Sequence, residues 1–448
     1  MMSGSSIDVF TWRATVREQV VLVPGCLDLP LGEALGRVLA RPVTSPEDIP
    51  AVPLSAMDGF AVRRADLHAP GATRLPVVAD IPARPGTTPE LPDGVAMRIM
   101  TGAPVPGGAD AVVEVEATDA DPFGAVPTEV TITLDALPPK NRHIRGRGEE
   151  SAHGDLLATT GDRVGVGLIG VARALGIASL PVLARPRVGV VVTGDELATG
   201  GHGTIGSHLP GGPVAPDNAL PPTSDPAPGM VRESNGLMLT SALEADGAAA
   251  RAWHTGDDPA TLRALLTEIE TECDLVLTTG GIGQGAFDVV RAALGDGGVG
   301  TSQLVHLALR PGGPQGMGRL PGGTPVIHLP GTPVGALVGY YLFVRQLLPA
   351  CPGEPRRVLL GEDPGPFTSH RHRRAVLAQP GRLRTTADGA EVVDVLPGRR
   401  LTPYARADVL VLREPGAQHG PSAQHGPGAD GVPGTDADAR GTVRVLPL

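Results

Sequence analysis

The sequence predicts a multidomain protein of the α/β plus β class, built around an open three-layer α/β domain at residues 185–350. Three observations predict it. The chain has 448 residues, more than one ordinary hydrophobic core accommodates. Continuous apolar runs, such as residues 188–192, are typical of strands buried on both faces of a sheet. Segments with helical periodicity alternate with these runs, which favours a parallel or mixed sheet covered by helices on both sides.

The composition limits the classes of function. The chain is 41% hydrophobic but only 2% aromatic, so its cores must be built mainly from aliphatic side chains. A formal net charge of -11 argues against a general affinity for nucleic acid. The cysteines Cys26, Cys273 and Cys351 lie far apart, and no spacing suggests zinc. Without a signal peptide or an apolar run of about 18 residues, we expect a soluble, cytoplasmic protein that binds no membrane.

The N-terminal part of the chain is predicted to form two further domains. Residues 1–45 contain helical patterns, and residues 142–184 return to a mixed texture with a helix at 166–175 that Gly176 ends. These two segments are assigned to one mixed helical domain. Between them, residues 46–141 hold short β-rich runs separated by Pro and Gly, which predicts a small β domain.

The α/β domain is predicted from an ordered series of helices and strands. Asn235 is expected to cap a helix that Gly247 ends. Asp258 and Pro259 form a good N-cap and N1 pair for the next helix. The other predicted elements are strands at 274–278, 304–309 and 326–329, and helices at 285–294 and 333–348.

Two segments are predicted to be insertions. Residues 200–229 are rich in Gly, Pro and His and interrupt the α/β domain as a flexible loop. Residues 351–448 are assigned to a C-terminal β domain, in which residues 415–439 form a low-complexity insert that repeats the sequence AQHGP. The histidines of this repeat could bind a metal, but a solvated linker is the simpler interpretation.

Three polar, glycine-bearing loops follow the predicted buried strands. They comprise Thr193, Asp195 and Glu196, then residues 277–285, then residues 330–333. The carboxyl ends of parallel strands meet at one edge of a sheet, where open α/β folds bind ligands. Free backbone N–H groups in such loops attract anions. Each loop alone could be an ordinary turn, but three at one edge favour a site for an anionic, phosphate-bearing ligand.

Charged residues near these loops suggest how the ligand is held. Arg310 follows the strand predicted at 304–309 and suits phosphate or oxyanion binding, although a solvated turn arginine is the alternative. His306 lies earlier on the same strand. Asp288 follows the glycine-rich loop and could either complement a helix dipole, hold Mg²⁺ or orient an oxyanion.

Seven segments, in this order, resemble the signatures of the MoeA family of molybdopterin molybdenumtransferases, which is related to the E domain of gephyrin. The segments are PLSAMDGFAV, RIMTGAPVPGGADAVVEVE, IRGRGEES, VVTGDEL, ESNG, TTGGIGQGAFD and LPGTPVGALV. The resemblance covers nearly the whole chain. It implies an α/β domain of the MoCF type and an elongated homodimer whose active site lies between the α/β domain of one subunit and the β domain of the other.

The resemblance also implies an activity. Members of the family insert molybdate into adenylylated molybdopterin and release AMP, with Mg²⁺ or a similar divalent ion, in molybdenum cofactor biosynthesis. Transient contacts with other proteins of that biosynthesis are implied too. The alternative is a diverged paralogue that binds molybdopterin or its nucleotide with little or no catalysis. A nucleotide pyrophosphatase sharing the α/β domain is disfavoured, because it would not be expected to carry the N-terminal segments.

The resemblance and the loops together assign the site residues. The catalytic candidates are Asp58, Thr101, Glu196, Asp258 and Asp288, of which Glu196 and Asp288 would hold the metal. The ligand-binding candidates are Thr193, Asp195, Thr279, Gly280, Gly281, Gly283, Gln284, His306, Arg310, Pro330, Gly331 and Thr332.

The sequence departs from the family pattern mainly on these ligand loops. A serine is replaced by Gly283, and an Asn and a Ser are replaced by Thr332 and Gly335. Where the family has lysines, the chain has His306, Arg310 and Gly313, so the positive charge survives at only one of them at all pH values. Two acidic positions, Glu150 and Glu233, have glutamate in place of aspartate.

Overall fold

The computed structural model describes residues 7–84, 86, 88–198, 228–283, 288–295, 302–351, 354–363, 374–398, 400–415 and 441–448. The chain divides into two compact units, one formed by Cys26–Val182 and the other by Met1–Gly25 with Leu183–Leu448. The predicted division into four domains is finer than this and stays a prediction. Most of residues 200–229 and of residues 415–439, the two predicted inserts, lie outside the described residues.

Helix α1 (Val9–Gln19) belongs to the larger unit and confirms that residues 1–45 contain helical structure. Asp8 caps it, since its side chain accepts hydrogen bonds from the backbone N–H groups of Phe10 and Thr11, both at 3.0 Å. Trp12 and Val16 are buried against the core of the α/β domain. The helix is therefore anchored by an apolar face and does not depend on its intrinsic propensity alone.

The smaller unit is mostly β structure. This was predicted for residues 46–141, whereas the segments on either side of them, which were predicted to be mixed helical, also contain several short strands. A five-stranded sheet with the order β7-β4-β6-β5-β8 forms its largest element. Helix α3 ends just before Gly176, which has a φ of 68° and supplies the left-handed residue that ends many helices. The elements are β1 (Cys26–Pro30), α2 (Leu31–Ala34), β2 (Val43–Thr44), β3 (Leu54–Ser55), β4 (Gly59–Val62), β5 (Gly71–Ile81), β6 (Ala96–Ile99), β7 (Ala111–Glu114), β8 (Glu129–Leu134), β9 (Ile144–Arg145), β10 (Leu156–Ala158), α3 (Val166–Ala174) and β11 (Ser179–Leu183).

The α/β domain contains a six-stranded mixed sheet with the order β15-β12-β16-β20-β19-β17, which confirms the predicted class. The first four strands of this order are parallel to one another, and β19 is antiparallel to both of its neighbours, so β17 runs in the same direction as the first four. The elements are β12 (Arg187–Thr193), β13 (Leu197–Ala198), β14 (Val231–Arg232), α4 (Asn235–Ala245), β15 (Ala249–Thr255), α5 (Pro259–Ile269), β16 (Leu275–Thr279), α6 (Val289–Leu294), β17 (Gln303–His306), β18 (Leu309–Arg310), β19 (Pro314–Arg319), β20 (Pro325–Leu329) and α7 (Pro333–Gly339).

Helices cover both faces of this sheet. Val190 and Val192 of β12 face a core that includes Leu239 and Leu243 of α4. Val191, between them, faces a second core with side chains of α5 and α6. Alternate residues of one strand thus enter two different cores, which explains why β12 is apolar at every position from 188 to 192.

Two predicted elements of this domain need correction. Residues 304–309 do not form one strand, because β17 ends at His306 and β18 pairs with a strand of the C-terminal sheet. Leu307 and Leu309 are both buried in one core, so the chain crosses between the sheets at this point. The helix predicted at 285–294 begins at Val289, and residues 284–287 lie outside the described ranges.

Strands β15 and β19 were not predicted from the sequence. The helix predicted at 333–348 is helical throughout most of its length, but it changes type. Helix α7 continues as a π-helix at Tyr340–Val344 and a 3₁₀ turn at Arg345–Leu347.

The C-terminal segment forms the predicted β domain. Its strands follow the order β18-β22-β23-β21-β25-β24, and β22 also pairs with β24, so five of the strands close into a small barrel. Closure removes the exposed edges that an open sheet would leave. Valines fill one of its cores. The strands are β21 (Arg356–Leu360), β22 (Val376–Thr385), β23 (Glu391–Val395), β24 (Val409–Arg413) and β25 (Thr442–Pro447).

No helix in the described part of the chain is both long enough and apolar enough to cross a membrane.

A fully buried histidine links β20 to β16 and to the residue that precedes β17. His328 on β20 forms hydrogen bonds through Nδ1 with Thr278 Oγ1 at 2.8 Å and through Nε2 with Ser302 Oγ at 2.9 Å. Burial lowers the pKa of His328 to about 3, because the charged ring would lose its hydration. The folded protein therefore holds this ring neutral.

This burial predicts a pH dependence of stability. In the unfolded chain the ring takes up a proton below pH of about 6.5, whereas in the folded protein it does so only near 3. The contribution of the neutral His328 ring to stability is fully present above the pKa of the unfolded chain. As the pH falls below that pKa, protonation of the unfolded chain lowers the free energy of unfolding by about 1.4 kcal/mol per pH unit. Urea unfolding at pH 7.0, 6.0 and 5.0 gives the free energy of unfolding at each pH, and this free energy should fall less steeply with falling pH in His328→Leu than in the wild type. The same dependence on pH in both proteins would contradict the conclusion that His328 is held neutral.

Candidate functional site

A cavity of about 960 Å³ opens at the carboxyl ends of β12, β16 and β20. Its walls are the three predicted ligand loops, the segment around Arg310 and the edge of the C-terminal barrel, all within the larger unit. The barrel contributes Leu377, Ala378, Gln379, Gly398 and Tyr404. A cavity of this volume is suited to a small-molecule ligand.

The two central loops approach each other through glycines. Gly280 has a φ of +100°, and a Cβ atom added there would lie 2.6 Å from Thr193 Oγ1. A Cβ at Gly331 would lie 3.2 Å from the Cα of Gly280. Gly281 also has a positive φ, of +61°. Larger residues would push these strand ends apart, so the glycines bring three backbone segments together around the cavity.

Asn235 connects these loops by hydrogen bonds. Its Nδ2 donates to Thr279 Oγ1 at 2.9 Å and to the carbonyl oxygen of Gly331 at 2.8 Å. The hydroxyl of Thr279 in turn donates to the carbonyl oxygen of Pro330 at 2.9 Å. Since that hydroxyl proton is used, Thr279 can only accept from Asn235, and the orientation of the Asn235 amide is fixed.

This geometry corrects the capping role predicted for Asn235. The residue is the first of α4, with Ser234 at the cap position, and the side chain that accepts from the N-terminal N–H of Gly236 is that of Glu233. Asn235 Oδ1 is buried and has no hydrogen-bond partner among the described residues. Asn235 belongs to the ESNG segment, which resembles a family signature, but from the sequence the residue was assigned to a helix cap and not to the ligand site.

Acidic side chains line one part of the cavity. They are Glu196, Glu233, Asp257 and Asp288. Asp195 and Asp257 are tied together, because the backbone N–H of each donates to the carboxylate of the other at 3.3 and 3.2 Å. This arrangement holds the β12 loop close to the segment that precedes α5.

Asp258, predicted as catalytic, is placed differently from its neighbour. Its Oδ2 accepts hydrogen bonds from the Thr261 hydroxyl at 2.6 Å and from the Thr261 backbone N–H at 2.7 Å. These bonds, led by that of the hydroxyl, lower the pKa of Asp258. Asp258 is the N-cap of α5, as predicted, but it is Asp257 that lines the cavity. The capping bonds occupy the carboxylate, which is a physical reason to assign the catalytic candidate to Asp257 instead.

The donors needed for a metal are only partly assembled. Across the described ranges, no three His, Cys, Asp or Glu side chains are grouped as a metal site. Glu196 and Asp288 nevertheless line the same cavity. Mg²⁺ is commonly held by one or two carboxylates together with phosphate oxygens of a substrate. Any cation held by these two carboxylates would therefore need oxygen atoms of a ligand to complete its coordination.

Arg310 lines the cavity and is exposed, but His306 does not line it. A Cβ added at Gly313 would lie 2.9 Å from His306 Nε2, so the ring occupies space beside the glycine. The two departures from the family pattern at 306 and 313 are thus in contact with each other. Gly313 itself lines the cavity and contributes backbone only.

A second pair of departures is also in contact. Thr332 occupies the N-cap position of α7, and a Cβ at Gly335 would lie 2.6 Å from Thr332 Oγ1. The absence of a side chain at 335 therefore makes room for the threonine in this conformation. Pro330, Gly331 and Thr332 all line the cavity, as predicted.

Asp58 and Thr101 lie in the smaller unit and contact each other. Asp58 Oδ1 accepts from the Thr101 backbone N–H at 2.6 Å and from its hydroxyl at 2.8 Å. These hydrogen bonds, led by the backbone bond, lower the pKa of Asp58.

The predicted residue Gln284 lies outside the described residues. The remaining predicted ligand residues, Thr193, Thr279, Gly280, Gly281 and Gly283, all line the cavity, whereas Asp195 contacts the lining residue Asp257.

Comparison with protein families gives two matches that together span most of the chain. Residues 7–176 match the model described as the MoeA N-terminal region, domains I and II. Residues 189–350 match the model described as a probable molybdopterin binding domain. The second match coincides with the α/β domain that contains most of the cavity wall.

Individual relatives agree with these matches. Molybdopterin molybdenumtransferase 2 of Mycobacterium tuberculosis H37Rv is 41% identical over 355 residues, which is 77% of this chain and 78% of the relative. The molybdopterin molybdenumtransferase of Synechococcus elongatus is 33% identical over 74% of this chain and 77% of its own. The crystal structure of a molybdopterin biosynthesis MoeA protein from Pyrococcus horikoshii has a similar fold, with a TM-score of 0.72, 24% identity and 99% coverage of both chains.

The close packing at Gly280 can be tested against a glycine with the same backbone conformation. Gly323 has a φ of +99° but open space around its Cα, whereas Gly280 faces Thr193. Both Ala variants carry the backbone strain, so their difference isolates the steric contact. Chemical denaturation should show Gly280→Ala to be less stable than Gly323→Ala by about 1–3 kcal/mol. Equal losses would show that the loops do not need this close approach.

Proposed function

The chain belongs to the MoeA family, and from this premise we propose that it acts as a molybdopterin molybdenumtransferase in molybdenum cofactor biosynthesis. In this proposal it inserts molybdate into adenylylated molybdopterin and releases AMP. The observation that supports it most directly is that glycine-rich loops, the positively charged side chain of Arg310 and several carboxylates line the same cavity. Such a site combines an anion cradle with groups able to bind a cation or activate water.

The anion-binding part of the proposed site lies where Gly280, Gly281 and Gly331 approach one another. The N–H group of Gly280 already donates to the carbonyl oxygen of Leu329 at 3.2 Å. The packing of the loops also orders the backbone of Gly281 and Gly331, so their N–H groups need little reorganisation when a phosphate or molybdate oxygen binds. Arg310 lines the same cavity and supplies a permanent positive charge with planar, paired donors. We assign phosphate and molybdate binding to these residues.

The carboxylates form the second part of the proposed site. Glu196, Asp257 and Asp288 line the cavity together. We propose that Glu196 and Asp288 hold Mg²⁺ with phosphate oxygens of the substrate. When bound, this ion neutralises charge on the phosphoanhydride. The role proposed for Asp257 is to orient the water that attacks the bond between AMP and molybdopterin.

Asn235 contributes an acceptor to the same cavity. Its amide nitrogen is committed to Thr279 and Gly331, which leaves its buried Oδ1 as a fixed acceptor. A ligand N–H or O–H group would satisfy it. We therefore add Asn235 to the residues proposed to bind the pterin nucleotide.

We also propose a homodimer in which Asp58 and Thr101 of one subunit serve the cavity of the other. Their mutual hydrogen bonds fix the Asp58 carboxylate in the ionised form, which suits a group that positions a substrate or a water molecule. Mixing an inactive Asp58→Asn protein with an inactive Asp288→Asn protein is the direct test. Recovered activity in the mixture supports a shared site, and no recovery in a mixture that exchanges subunits argues against it.

A second candidate function is a binding protein with little or no catalysis. The departures at His306, Gly313, Thr332 and Gly335 favour it, because they alter the ligand loops without disturbing the fold. The contacts between them suggest adjustment in pairs and not simple loss. Tight binding of molybdopterin or its nucleotide without metal insertion would support this alternative.

The proposed reaction predicts release of AMP. The protein is supplied with adenylylated molybdopterin, molybdate and Mg²⁺, and AMP is measured by chromatography. We expect turnover that depends on molybdate, and a strong loss in Asp288→Asn because a neutral amide is a poor ligand for Mg²⁺. Release of AMP no faster than in Asp288→Asn would contradict the transferase, and failure to bind any pterin nucleotide would exclude the binding protein as well.

Arg310 gives a prediction for substrate affinity. Removing a charged donor to a phosphate should weaken binding of adenylylated molybdopterin by about 10- to 100-fold in Arg310→Ala. The matched control is Arg382→Ala, an exposed arginine on β22 that does not line the cavity. Isothermal titration at two salt concentrations should show a weaker salt dependence for Arg310→Ala only. Equal affinities for the two variants would remove Arg310 from the site.

A further inference from the structure

One polar side chain of the cavity wall has no explained role. Gln379 lies on β22 of the C-terminal barrel and is only 6% exposed. Neither its Nε2 nor its Oε1 has a hydrogen-bond partner within the described ranges of the chain. A buried amide without partners is unfavourable, because both groups have lost their water.

The neighbours of Gln379 on the cavity wall do not offer obvious partners. The Tyr404 hydroxyl donates to the carbonyl oxygen of Ala378 at 3.4 Å, which uses its proton. Pro380 follows in the chain and has no N–H group to donate. Leu377 and Ala378 add apolar surface to this wall. Apart from the Tyr404 hydroxyl, the side chains that the barrel contributes to the cavity are therefore apolar or the amide of Gln379.

A second part of the cavity wall differs in chemistry. Arg310 lies on β18, the strand that pairs with β22, and together with the loops of Gly280 and Gly331 it provides charge and backbone donors, which suit the phosphate part of a ligand. The apolar surface around Gln379 suits a flat heterocycle, whose faces are apolar and whose edge carries hydrogen-bonding groups. The two parts of the wall thus match the two ends of a pterin nucleotide.

We propose that Gln379 of the C-terminal barrel is a recognition residue that hydrogen-bonds the edge of the ligand's heterocycle. Its amide presents one acceptor and one donor side by side, complementary to a ring edge that presents an N–H group beside a carbonyl or ring nitrogen. Pterin and adenine both have such an edge, so the ring is identified by this shared chemistry. This inference deepens the proposed function and rests on it, because it takes the ligand to be a pterin nucleotide.

The test replaces the amide by an apolar chain of similar length in the full-length protein. For Gln379→Met we expect the dissociation constant for adenylylated molybdopterin to rise about tenfold, or about 1.4 kcal/mol. Without ligand the melting temperature should stay the same or increase, since the variant removes two unsatisfied groups from the interior. Titration with molybdopterin alone and with AMP alone shows which ring is recognised, because only the recognised one should lose affinity.

Gln346→Met is the matched control. Gln346 also has a buried Oε1 without a partner in the described chain, but its Nε2 donates to the backbone of Arg13 and Phe343, and it does not line the cavity. We expect this variant to melt at a lower temperature and to bind the ligand unchanged. The two glutamines should therefore show opposite patterns of stability and affinity.

The outcomes separate this inference from the proposed function. If the wild-type protein does not bind adenylylated molybdopterin, the proposed function itself fails. If the wild type binds it and Gln379→Met binds equally well, only the recognition role fails. A lower melting temperature with unchanged affinity would make Gln379 structural. If Gln379→Met does not fold, Gln379→Asn keeps the amide but withdraws it by one methylene, and unchanged affinity in that variant overturns the proposal.

Discussion

The candidate site depends on the hydrogen bonds of one asparagine. Asn235 ties the beginning of α4 to the ends of β16 and β20 through Thr279 and Gly331. Because the Thr279 hydroxyl donates its proton to the carbonyl oxygen of Pro330, it can only accept from the Asn235 amide, and the direction of each of these hydrogen bonds is fixed. The carboxyl ends of the central strands are thereby held in one arrangement. The close contacts at Gly280 and Gly331 bring the backbones of the three strand ends together. The shape of the cavity therefore depends on these hydrogen bonds and glycine contacts.

The same constraint explains how the ligand loops differ from the family pattern without a loss of packing. His306 occupies space that a side chain at 313 would need, and Thr332 occupies space that a side chain at 335 would need. In each pair a glycine replaces a larger residue of the family pattern, and its neighbour, His306 or Thr332, differs in shape from the residue that the pattern has there. Close-packed regions transmit a change at one position to its neighbour, so substitutions there are expected to occur in compensating sets. A loop that varies in this way keeps its backbone and changes the chemistry that it presents.

The sequence predicted the elements whose signals are local. Val190 and Val191 mark a strand buried on both faces, and Gly176 marks a helix end, because periodicity and left-handed φ values depend on few residues. The break between β17 and β18 was not predicted, since it arises from pairing with a strand of another sheet much later in the chain. The sequence also assigned Asn235 to a cap, because its partners lie at 279 and 331. Tertiary contacts of this kind leave no local pattern.

Buried polar groups distinguish what the fold needs from what a ligand needs. His328 has both ring nitrogens satisfied within the sheet, so its polarity is accounted for by structure alone. Asn235 is satisfied on one side only, and Gln379 on neither side among the described residues. Both of these side chains line the cavity, whereas His328 does not. A folded protein tolerates an unsatisfied amide at a stability cost, as Gln346 also shows away from the cavity, but only at the cavity wall can a bound molecule recover that cost.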